Sequence, residues 1–195
     1  DERTKFAQAN HEYLIEQVNY HEFSKLKSSN LNLELNLNHP TKYYIWSVQK
    51  KSDVIDYNLH NYYSSDLTYT INNYYPIIST SENNTIESAQ LELNGVDRTN
   101  LFNGEYYNYV TSYEMNLNTP VDGLNFYSFA INPKDIQPSG SCNFSRLNRK
   151  VLKMNFSTTF LNRLTNTDYM LIKLASVNYN ILKFSKGSAK LVFAY

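Results

Sequence analysis

The sequence predicts an all-β protein, an antiparallel two-sheet jelly-roll sandwich with one short helix in a loop. Eighteen Tyr and ten Phe stand against five Gly and one Trp among the 195 residues, and aromatic side chains favour the pleated, half-buried surface of a strand. Several short segments alternate apolar and polar residues with a period of two, which indicates strands with one buried face. Long helical segments do not alternate with these strands, so a parallel α/β sheet is disfavoured.

The first part of the chain is interpreted as an arm followed by strands. Residues 1–24 combine mixed charge with a short apolar run and are predicted to form a connecting arm and the first strand, and residues 25–195 the jelly-roll domain. In the next run leucine occupies every second position, at Leu31, Leu33, Leu35 and Leu37. Pro40 ends this run and residues 43–49 resume in extended form, so two neighbouring antiparallel strands joined by a short turn are expected.

The middle of the chain is predicted to contain a long loop, a strand and a helix. Residues 50–84 are irregular and rich in Asn, Ser and Tyr, which predicts a surface loop with one strand at Thr68 to Asn72. Residues 88–94 alternate again, and Asn94-Gly95 is typical of a tight hairpin turn. The i, i+3, i+4, i+7 spacing of a helix face occurs at Tyr106, Tyr109, Val110 and Tyr113.

The most distinctive segment is an apolar run followed by a loop with two prolines. Residues 123–131 are apolar at both odd and even positions, which predicts a core strand covered on both faces rather than an edge strand. Pro133 and Pro138 then take the chain out of the sheet, and Gly140 permits a positive φ. The backbone groups of the turn are expected to be satisfied by Ser139, Ser141, Asn143 and Ser145. The closing strands are predicted at residues 151–156, 169–184 and 189–195.

The charge balance argues against nucleic acid as a direct partner. Lys and Arg together number 18, as do Asp and Glu, whereas phosphate binding depends on many cationic contacts. The nearest approach to a basic cluster is interpreted as a solvated turn and strand rim: Arg146, Arg149, Lys150 and Lys153. The sequence starts without an initiating Met or signal-peptide character, so the chain is expected to begin inside a longer polypeptide.

Residues that bind metals or carry catalysis are not arranged in a recognisable pattern. The four His, at positions 11, 21, 39 and 60, show no metal-ligand spacing with Cys142 or a carboxylate cluster. His11-Glu12 begins a zinc-protease pattern, but Ile15 stands where the second His ligand is required. No cofactor, metal or catalytic residue is therefore predicted, and the chain is expected not to be an enzyme.

Three other features are given structural interpretations. Glu92 and Asp97 could converge for acid/base work on a glycoside, but they are interpreted as solvated carboxylates on polar strand faces. Cys142 is the only cysteine, so it forms no intrachain disulfide and is interpreted as a small buried hydrophobe. Asn-x-Ser/Thr triplets occur at Asn83, Asn143 and Asn155, and Asn83 alone lies in a predicted exposed loop, which makes it the candidate glycosylation site.

The loop that follows the apolar run resembles a signature of the major capsid proteins of the nucleocytoplasmic large DNA viruses. It contains Asn132, Pro133, Gln137, Pro138, Ser139, Gly140, Cys142, Asn143, Phe144, Ser145 and Arg146. Three other segments resemble the same family in the same order, at residues 1–17, at residues 91–98 with Asn94, Gly95, Asp97 and Arg98, and at residues 177–182. The resemblance implies a double jelly-roll capsid protein, of which this chain matches the connecting segment and the C-terminal jelly roll.

The resemblance also implies an assembly function. In that family two jelly rolls stand side by side, three copies form a pseudo-hexagonal capsomer, and capsomers tile an icosahedral shell around an internal membrane. The implied partners are other copies of the chain, neighbouring capsomers, minor capsid proteins and the viral membrane, in a virion capsid assembled in the host cytoplasm. Residues 137–146 are expected to fix a corner between core strands, with Phe144 inward and Arg146 available for an ion pair. The alternative is that these residues contact a neighbouring subunit of the trimer directly. Asp97 and Arg98 are open to the same two interpretations, a structural corner or a trimer contact.

A binding module is the rival hypothesis. In this interpretation the chain is a jelly-roll glycan- or receptor-binding domain on a virion surface. Its Tyr-rich segments at 57–75 and 106–113 would stack on sugars. Aromatic segments also serve protein interfaces, so self-assembly is preferred.

Overall fold

The computed structural model of the chain describes residues 1–52, 84–115, 117–185 and 187–193. The predicted strand at 68–72 and the candidate glycosylation site Asn83 lie outside these residues. The first six strands are β1 (His11–Leu26), β2 (Asn30–Glu34), β3 (Pro40–Lys50), β4 (Ile86–Leu93), β5 (Val96–Asp97) and β6 (Phe102–Asn103). The others are β7 (Asn125–Ser128), β8 (Cys142–Asn143), β9 (Lys150–Phe156), β10 (Tyr169–Ser185) and β11 (Ser188–Leu191).

The strands form two antiparallel sheets. Sheet A has the order β1-β10-β3-β7, with β11 paired to β10 and β8 to β3, and sheet B has the order β2-β9-β4-β5, with β6 paired to β4. The chain crosses between the sheets repeatedly, since β1 and β3 lie in sheet A and β2 and β4 in sheet B. This interleaving defines a jelly roll. The predicted all-β, two-sheet jelly-roll fold is confirmed.

The core lies between the two sheets. From β3 of sheet A, Tyr44, Trp46 and Val48 point inward and are at most 1% exposed. They belong to one cluster with Leu91 and Leu152 of sheet B. Complete burial of one such apolar side chain contributes about 1.5–3 kcal/mol, so the alternating faces of the strands account for the sandwich.

The leucine alternation is confirmed, but the predicted pairing of its strand is wrong. Leu33, Leu35 and Leu37 are each no more than 2% exposed. The strand β2 pairs with β9, whereas β3 pairs with β10 in the other sheet. The turn at His39, whose φ is 71°, takes the chain across the core rather than back along the same sheet. Both strands have one apolar face, and packing the two faces against each other buries both.

The predicted helix exists, and its buried residues are not those with the predicted helical spacing. It comprises a π-helical turn (Tyr106–Val110) followed by α2 (Thr111–Glu114). The buried residues are Tyr107, Asn108, Thr111 and Ser112, whereas Tyr113 is 82% exposed. Two of the buried side chains bond to the backbone inside the domain: Tyr107 Oη donates to the Ala89 carbonyl, and Thr111 Oγ1 to the Phe126 carbonyl.

Further short helices were not predicted. They are α1 (Glu2–Gln8), a 3-10 helix (Phe144–Arg146) and α3 (Thr158–Arg163). Ser157 caps α3, because its Oγ accepts a hydrogen bond from the Phe160 amide at 3.3 Å. Of these helices, α1 buries no side chain, so the arm carries no apolar periodicity that would have predicted it. None of the helices in the described part of the chain is long and apolar enough to cross a membrane.

The apolar run at 123–131 does not form the predicted core strand. Only Asn125–Ser128 is a strand, β7, which ends the strand order of sheet A and among the described residues pairs with β3 alone. Phe126 and Ala130 are buried, but Ile131 is 73% exposed. The strand is apolar on both faces because Tyr127 packs on the core while Phe126 packs on Tyr43 with ring centroids 5.4 Å apart. A strand at the end of the strand order can therefore have both of its faces covered, and β7 need not lie in the middle of the sheet.

Both ends of the chain form long strands. The predicted strand at 169–184 is confirmed as β10, which pairs with β1 from His11 with Phe184 to Leu26 with Tyr169 without a register shift. The last strand, β11, ends at Leu191, earlier than expected. The termini therefore build one side of sheet A together.

Candidate assembly surfaces

The first half of the signature loop is a turn held by its own side chains. Gly140 has a φ of +148°, and a Cβ there would lie 2.7 Å from the Phe129 carbonyl oxygen. Ser139 Oγ accepts from the Asn132 amide at 2.9 Å and donates to the Asn132 carbonyl at 3.1 Å. The positive φ of Gly140 and the bonds expected of Ser139 are present. Pro133 lies at the border of a cleft on sheet A.

The second half of the loop closes a corner of the sandwich. Asn143 Oδ1 accepts from the Ser145 amide at 3.1 Å, and Ser145 Oγ accepts from the His39 amide at 2.9 Å. Phe144 is fully buried and packs against Phe129 with ring centroids 5.5 Å apart. The loop is thereby fixed to the turn between β2 and β3. Gln137 and Pro138 are exposed at its tip.

Arg146 and Cys142 of the loop are less buried than Phe144. Arg146 is exposed, and no ion pair joins it to the described residues. Cys142 is half-buried beside Thr41 and is a free thiol. Burial raises the pKa of Cys142, although nearby Arg98 lowers it. The thiolate that a reactive cysteine needs is therefore disfavoured.

The second family segment forms the hairpin between β4 and β5. Asn94 and Gly95 have φ values of 52° and 81°, as the type I′ turn predicted for Asn-Gly requires. Asn94 Oδ1 also accepts from the amides of Asn148 and Arg149 at 2.9 and 3.2 Å. The turn thus ties the hairpin to the segment that follows the signature loop. Arg98 reaches the same region, where its charge lowers the pKa of Tyr127 against a larger increase caused by burial.

Glu92 and Asp97 do converge, because they are cross-strand partners in this hairpin. Lys153 Nζ lies between them, 2.8 Å from Glu92 Oε2 and 3.2 Å from Asp97 Oδ1. Hydrogen bonds to Glu92 and then Asp97 raise the pKa of Lys153. A second cation, Arg149, also pairs with Glu92, with its Nε 3.5 Å from Glu92 Oε1. Glu92 is 7% exposed, so its interpretation as a solvated carboxylate is wrong, whereas Asp97 is exposed as predicted. The network neutralises two of the four residues of the predicted basic cluster, Arg149 and Lys153.

A cleft of about 670 Å³ lies on the outer side of sheet A. Its walls are mainly apolar, and Leu14, Ile45, Phe126 and Ile136 are among the lining residues. The sequence did not predict it, because its walls come from five separate segments of the chain. A cleft of this size is large enough to take a ligand or several side chains of a partner.

One ion pair stands at the cleft. Lys42, with a side chain only 2% exposed, has its Nζ 2.5 Å from Glu16 Oε1 and donates to the Asp135 carbonyl at 3.1 Å. Its Nζ is 5.7 Å from the centroid of the Tyr179 ring. Burial alone would lower the pKa of Lys42, but the hydrogen bond to Glu16 and the neighbouring Tyr179 hold it above its ordinary value. This pair was not predicted, although a Lys in an otherwise apolar strand segment is a usable signal.

The third family segment ties down the C-terminal strand. Asn180 Nδ2 donates to Gln17 Oε1 at 2.7 Å and to the Phe193 carbonyl at 2.8 Å, and Asn180 Oδ1 accepts from the Phe193 amide at 3.1 Å. Asn178 Oδ1 accepts from Thr41 Oγ1 at 2.7 Å. Both Asn side chains are 1% exposed. The two Asn side chains of the Asn-Tyr-Asn sequence therefore form buried hydrogen bonds rather than a polar surface.

A second exposed region, the aromatic shelf, consists of Leu101, Phe102, Tyr106, Tyr109 and Val110. It borders a shallow depression of about 420 Å³. Phe102 and Tyr106 stack with centroids 4.1 Å apart, and Leu101 is 57% exposed. The apolar helix face found in the sequence points here instead of into the core. In the part of the chain that is described, no three His, Cys, Asp or Glu side chains are grouped to hold a metal ion.

The strand order defines the class of protein, a jelly-roll domain, which is a fold that viral capsid and lectin proteins share. Residues 2–190 match the family model described as large eukaryotic DNA virus major capsid protein. The chain belongs to this family, whose members are structural capsid proteins.

Similarity to individual major capsid proteins agrees with this family assignment. The chain is 32% identical to the major capsid protein of Paramecium bursaria Chlorella virus 1 over 99% of its own length and 51% of the relative's. It is 31% identical to that of Pyramimonas orientalis virus over 100% of its own length and 46% of the relative's. The chain therefore spans about half the length of these curated relatives.

Solved structures share the fold. A quasi-atomic model of the PBCV-1 virus capsid superimposes with a TM-score of 0.76 at 29% identity, covering 100% of this chain and 54% of the other. The Faustovirus major capsid protein, at 16% identity, gives a TM-score of 0.71 over 89% of this chain and 34% of its own, and supports the fold alone.

Proposed function

We propose that this chain is the C-terminal jelly-roll part of a major capsid protein and that its work is mechanical. In this proposal three copies of the full-length protein form a pseudo-hexagonal capsomer, and capsomers tile an icosahedral shell. The supporting observation is the interleaved jelly-roll strand order in a chain that matches the capsid family over residues 2–190. Residues 1–24 act as the connecting arm and residues 25–195 as the domain.

The sandwich suits a mechanical role. Sheet A is held by a continuous ladder of sixteen cross-strand pairs between β1 and β10, and the core behind it is filled by aromatic side chains such as Trp46 and Tyr107, whose ring centroids lie 5.3 Å apart. Close-packed interiors resist compression. Two sheets joined through such a core form a stiff block whose outer surfaces can contact other subunits.

The signature loop serves this block as an internal corner. Its hydrogen bonds run to Asn132, His39 and its own backbone, which favours a structural role over trimer contact. The exposed residues Gln137, Pro138 and Arg146 are the part of the loop able to touch a neighbour, as are Asp97 and Arg98 in the hairpin.

The partners in this proposal are neighbouring capsomers, minor capsid proteins and the internal viral membrane, within a virion capsid assembled in the host cytoplasm. Nucleic acid is not a direct partner. The formal net charge is +0, and Lys42, Arg149, Lys153 and Lys183 are each paired with a carboxylate. A chain without net positive charge lacks the main source of affinity for phosphate.

Sedimentation of the purified full-length protein tests the proposal, followed by electron microscopy under assembly conditions. Trimers and pseudo-hexagonal particles are expected. A full-length protein that stays monomeric at every concentration and never forms arrays would contradict it.

The aromatic shelf favours the rival function, glycan or receptor binding. The stacked pair Phe102 and Tyr106, with Glu105 and Asn103 beside it, combines ring faces with polar acceptors, as sugar sites do. A glycan array on the full-length protein decides between the two. Clear sugar binding by a monomeric protein, lost in Tyr106→Ala, would favour the rival, whereas no binding by a trimeric protein would remove it.

A further inference from the structure

The first residues of β3 hold the signature loop at both of its ends. Just before the loop, the Lys42 carbonyl accepts from the amides of Phe129 and Ala130 at 2.9 and 3.3 Å. At the other end of the loop, β8 pairs with the first two residues of β3. Backbone bonds of this kind fix the ends of the loop whatever the side chains are. The position of its middle, residues 133–138, depends on other contacts.

The side chain of Lys42 reaches the middle of the loop because β3 contains a bulge. Thr41 and Tyr43 lie opposite consecutive residues of β10, so Lys42 between them has no residue opposite it in that strand. Without the bulge, the alternation that turns Tyr44 into the core would turn Lys42 inward as well. The extra residue reverses this, and Lys42 lines the cleft on the outer side of sheet A. Bulges commonly re-aim a side chain in this way.

The Lys42 ammonium group joins β3 to β1, to the signature loop and to β10. Its Nζ lies 2.5 Å from Glu16 Oε1, donates to the Asp135 carbonyl oxygen at 3.1 Å and lies 5.7 Å from the centroid of the Tyr179 ring. The side chain of Lys42 is 2% exposed and that of Glu16 is 40% exposed. An ammonium group buried to this extent needs an opposite charge and hydrogen-bond acceptors. The loop carbonyl is one of these acceptors, so the buried charge and the position of the loop depend on each other.

We infer that Lys42 is the positioning residue of the signature loop and that it couples this loop to the arm. Glu16, on β1, supplies the charge that keeps the ammonium group buried. The ammonium group in turn holds the Asp135 carbonyl, next to Ile136, which is 91% exposed at the tip of the loop. A change of charge in β1 is therefore transmitted to the loop tip. The inference rests on contacts within one chain, and it stands whether or not capsomers form.

A second ion pair of β1 provides the contrast. Lys183 Nζ lies 2.6 Å from Glu12 Oε1, and the two side chains are 32% and 53% exposed. They are cross-strand neighbours in the regular ladder between β1 and β10. An exposed pair of this kind contributes little, because water solvates either charge when the other is removed. Removing the carboxylate of Glu12 should therefore leave the signature loop in place, whereas removing that of Glu16 should release it.

Limited trypsin cleavage of the full-length protein tests the inference, with the products identified by mass spectrometry. Cleavage after Lys134 reports on the loop, because the bond that is cut directly precedes Asp135. Cleavage after Lys153, in a strand that lies between two others in sheet B, reports on opening of the whole domain. Glu16→Gln should raise the rate after Lys134 at least about tenfold and the rate after Lys153 by less than about twofold. The matched control, Glu12→Gln, should change neither rate.

Either of two results with Glu16→Gln would overturn the inference. Equal acceleration after Lys134 and Lys153 would mean that the whole domain loosens, and an unchanged rate after Lys134 would mean that Glu16 does not act on the loop.

A double variant keeps the inference testable if Glu16→Gln does not fold. Glu16→Gln/Lys42→Met removes both charges and leaves no unpaired ammonium group in the interior. Lys42→Met alone should already release the loop, so the double variant should be cut after Lys134 at the same rate as Lys42→Met, within about twofold. A further acceleration in the double variant would show that the two residues act independently on the loop, and the coupling would be refuted.

Discussion

Replacing Gly140 by Ala separates two costs that a glycine can carry. At Gly140 the φ of +148° is combined with a backbone oxygen, that of Phe129, only 2.7 Å from where a Cβ would lie. At Gly95 the φ of +81° is equally unusual, but nothing lies within 4 Å of the added atom. Gly95→Ala is therefore the matched control, with conformational strain and no steric clash.

The magnitudes differ enough to measure. Gly95→Ala is expected to lower the free energy of unfolding by about 1–2 kcal/mol, the cost of the left-handed region for an L-residue. Gly140→Ala adds displacement of the Phe129 backbone, so about 2–6 kcal/mol is expected from strain and overpacking together. Since a domain has only about 5–15 kcal/mol in total, the larger value approaches loss of folding. A β-branched Val at position 140 should cost more still and reduce capsomer yield.

Urea denaturation followed by tryptophan fluorescence is the assay, because Trp46 lies in the core at 1% exposure. Gly187→Ala, with a φ of +78° and no atom within 4 Å, serves as a second control. If Gly140→Ala and Gly95→Ala fall within about 0.5 kcal/mol of each other, the close approach at Phe129 has no energetic consequence and the reasoning fails.

Further perturbations test other parts of the structure. Burial raises the pKa of Tyr107 to about 12, so the stability that neutral Tyr107 contributes is complete below the unfolded pKa near 10 and is lost as pH rises from there to about 12. Tyr107→Phe should flatten this alkaline loss of Tm, and it should cost about 1–3 kcal/mol because it removes the hydrogen bonds to Ala89 and Thr99. An unchanged alkaline profile would refute the assignment. Tyr113→Ser, at an 82% exposed position, should change the free energy of unfolding by no more than about 0.5 kcal/mol, and a larger loss would mean that the outward helix face is packed. Asn180→Ala should accelerate amide exchange at Phe193 and Ile181, which its Oδ1 binds, and unchanged exchange would remove its anchoring role. The backbone of Thr165 and then Lys50 hold the pKa of Asp168 below its usual range. The stability that Asp168 contributes should therefore be present above the unfolded pKa and be lost as pH falls through the folded pKa. Asp168→Asn should remove this acid dependence of Tm, and an unchanged dependence of Tm on acidic pH would contradict the prediction.

Period-two alternation was enough to predict the strands and the fold class. The leucine run, residues 88–94, residues 151–156 and β10 all lie where the pattern indicated, because a strand with one face against a core records that fact in its sequence. Which strands pair with each other was harder to predict from the sequence than where the strands lie. Alternation gives the same pattern whether the next strand lies beside a run or across the core, so β2 and β3 were assigned to one sheet and occupy two.

The buried side of the helix and the position of the apolar run were not accessible from the sequence, for a related reason. Tyr106, Tyr109, Val110 and Tyr113 have the spacing of a buried face, yet the buried positions are Asn108, Thr111 and Ser112 together with Tyr107. Polar side chains with several internal partners can replace apolar ones in a core, and spacing alone does not show those partners. Similarly, β7 is apolar on both sides because Phe126 on its outer face packs on Tyr43 of the neighbouring strand, which a single strand cannot reveal.

Turn chemistry was predicted better than surface chemistry. Asn94, Gly95, Ser139 and Gly140 occupy the conformations that their residue types favour, since those preferences are local. The cleft and the Lys42–Glu16 pair were missed because their residues come together only through the fold. Lys42 and Glu16 are 26 positions apart in the chain, and nothing in either segment alone predicts the other.

The pairing of β1 with β10 sets an order of events during synthesis on the ribosome. His11 finds its partner Phe184 almost at the other end of the chain, so the sheet that contains both cannot close until nearly the whole chain has been translated. Until then Phe23 of β1, which packs on the core of the finished domain, emerges without cover, at a translation speed of about 5–20 residues per second. Folding dominated by such distant pairings is slow, and a nascent chain in this state is a natural client for chaperones.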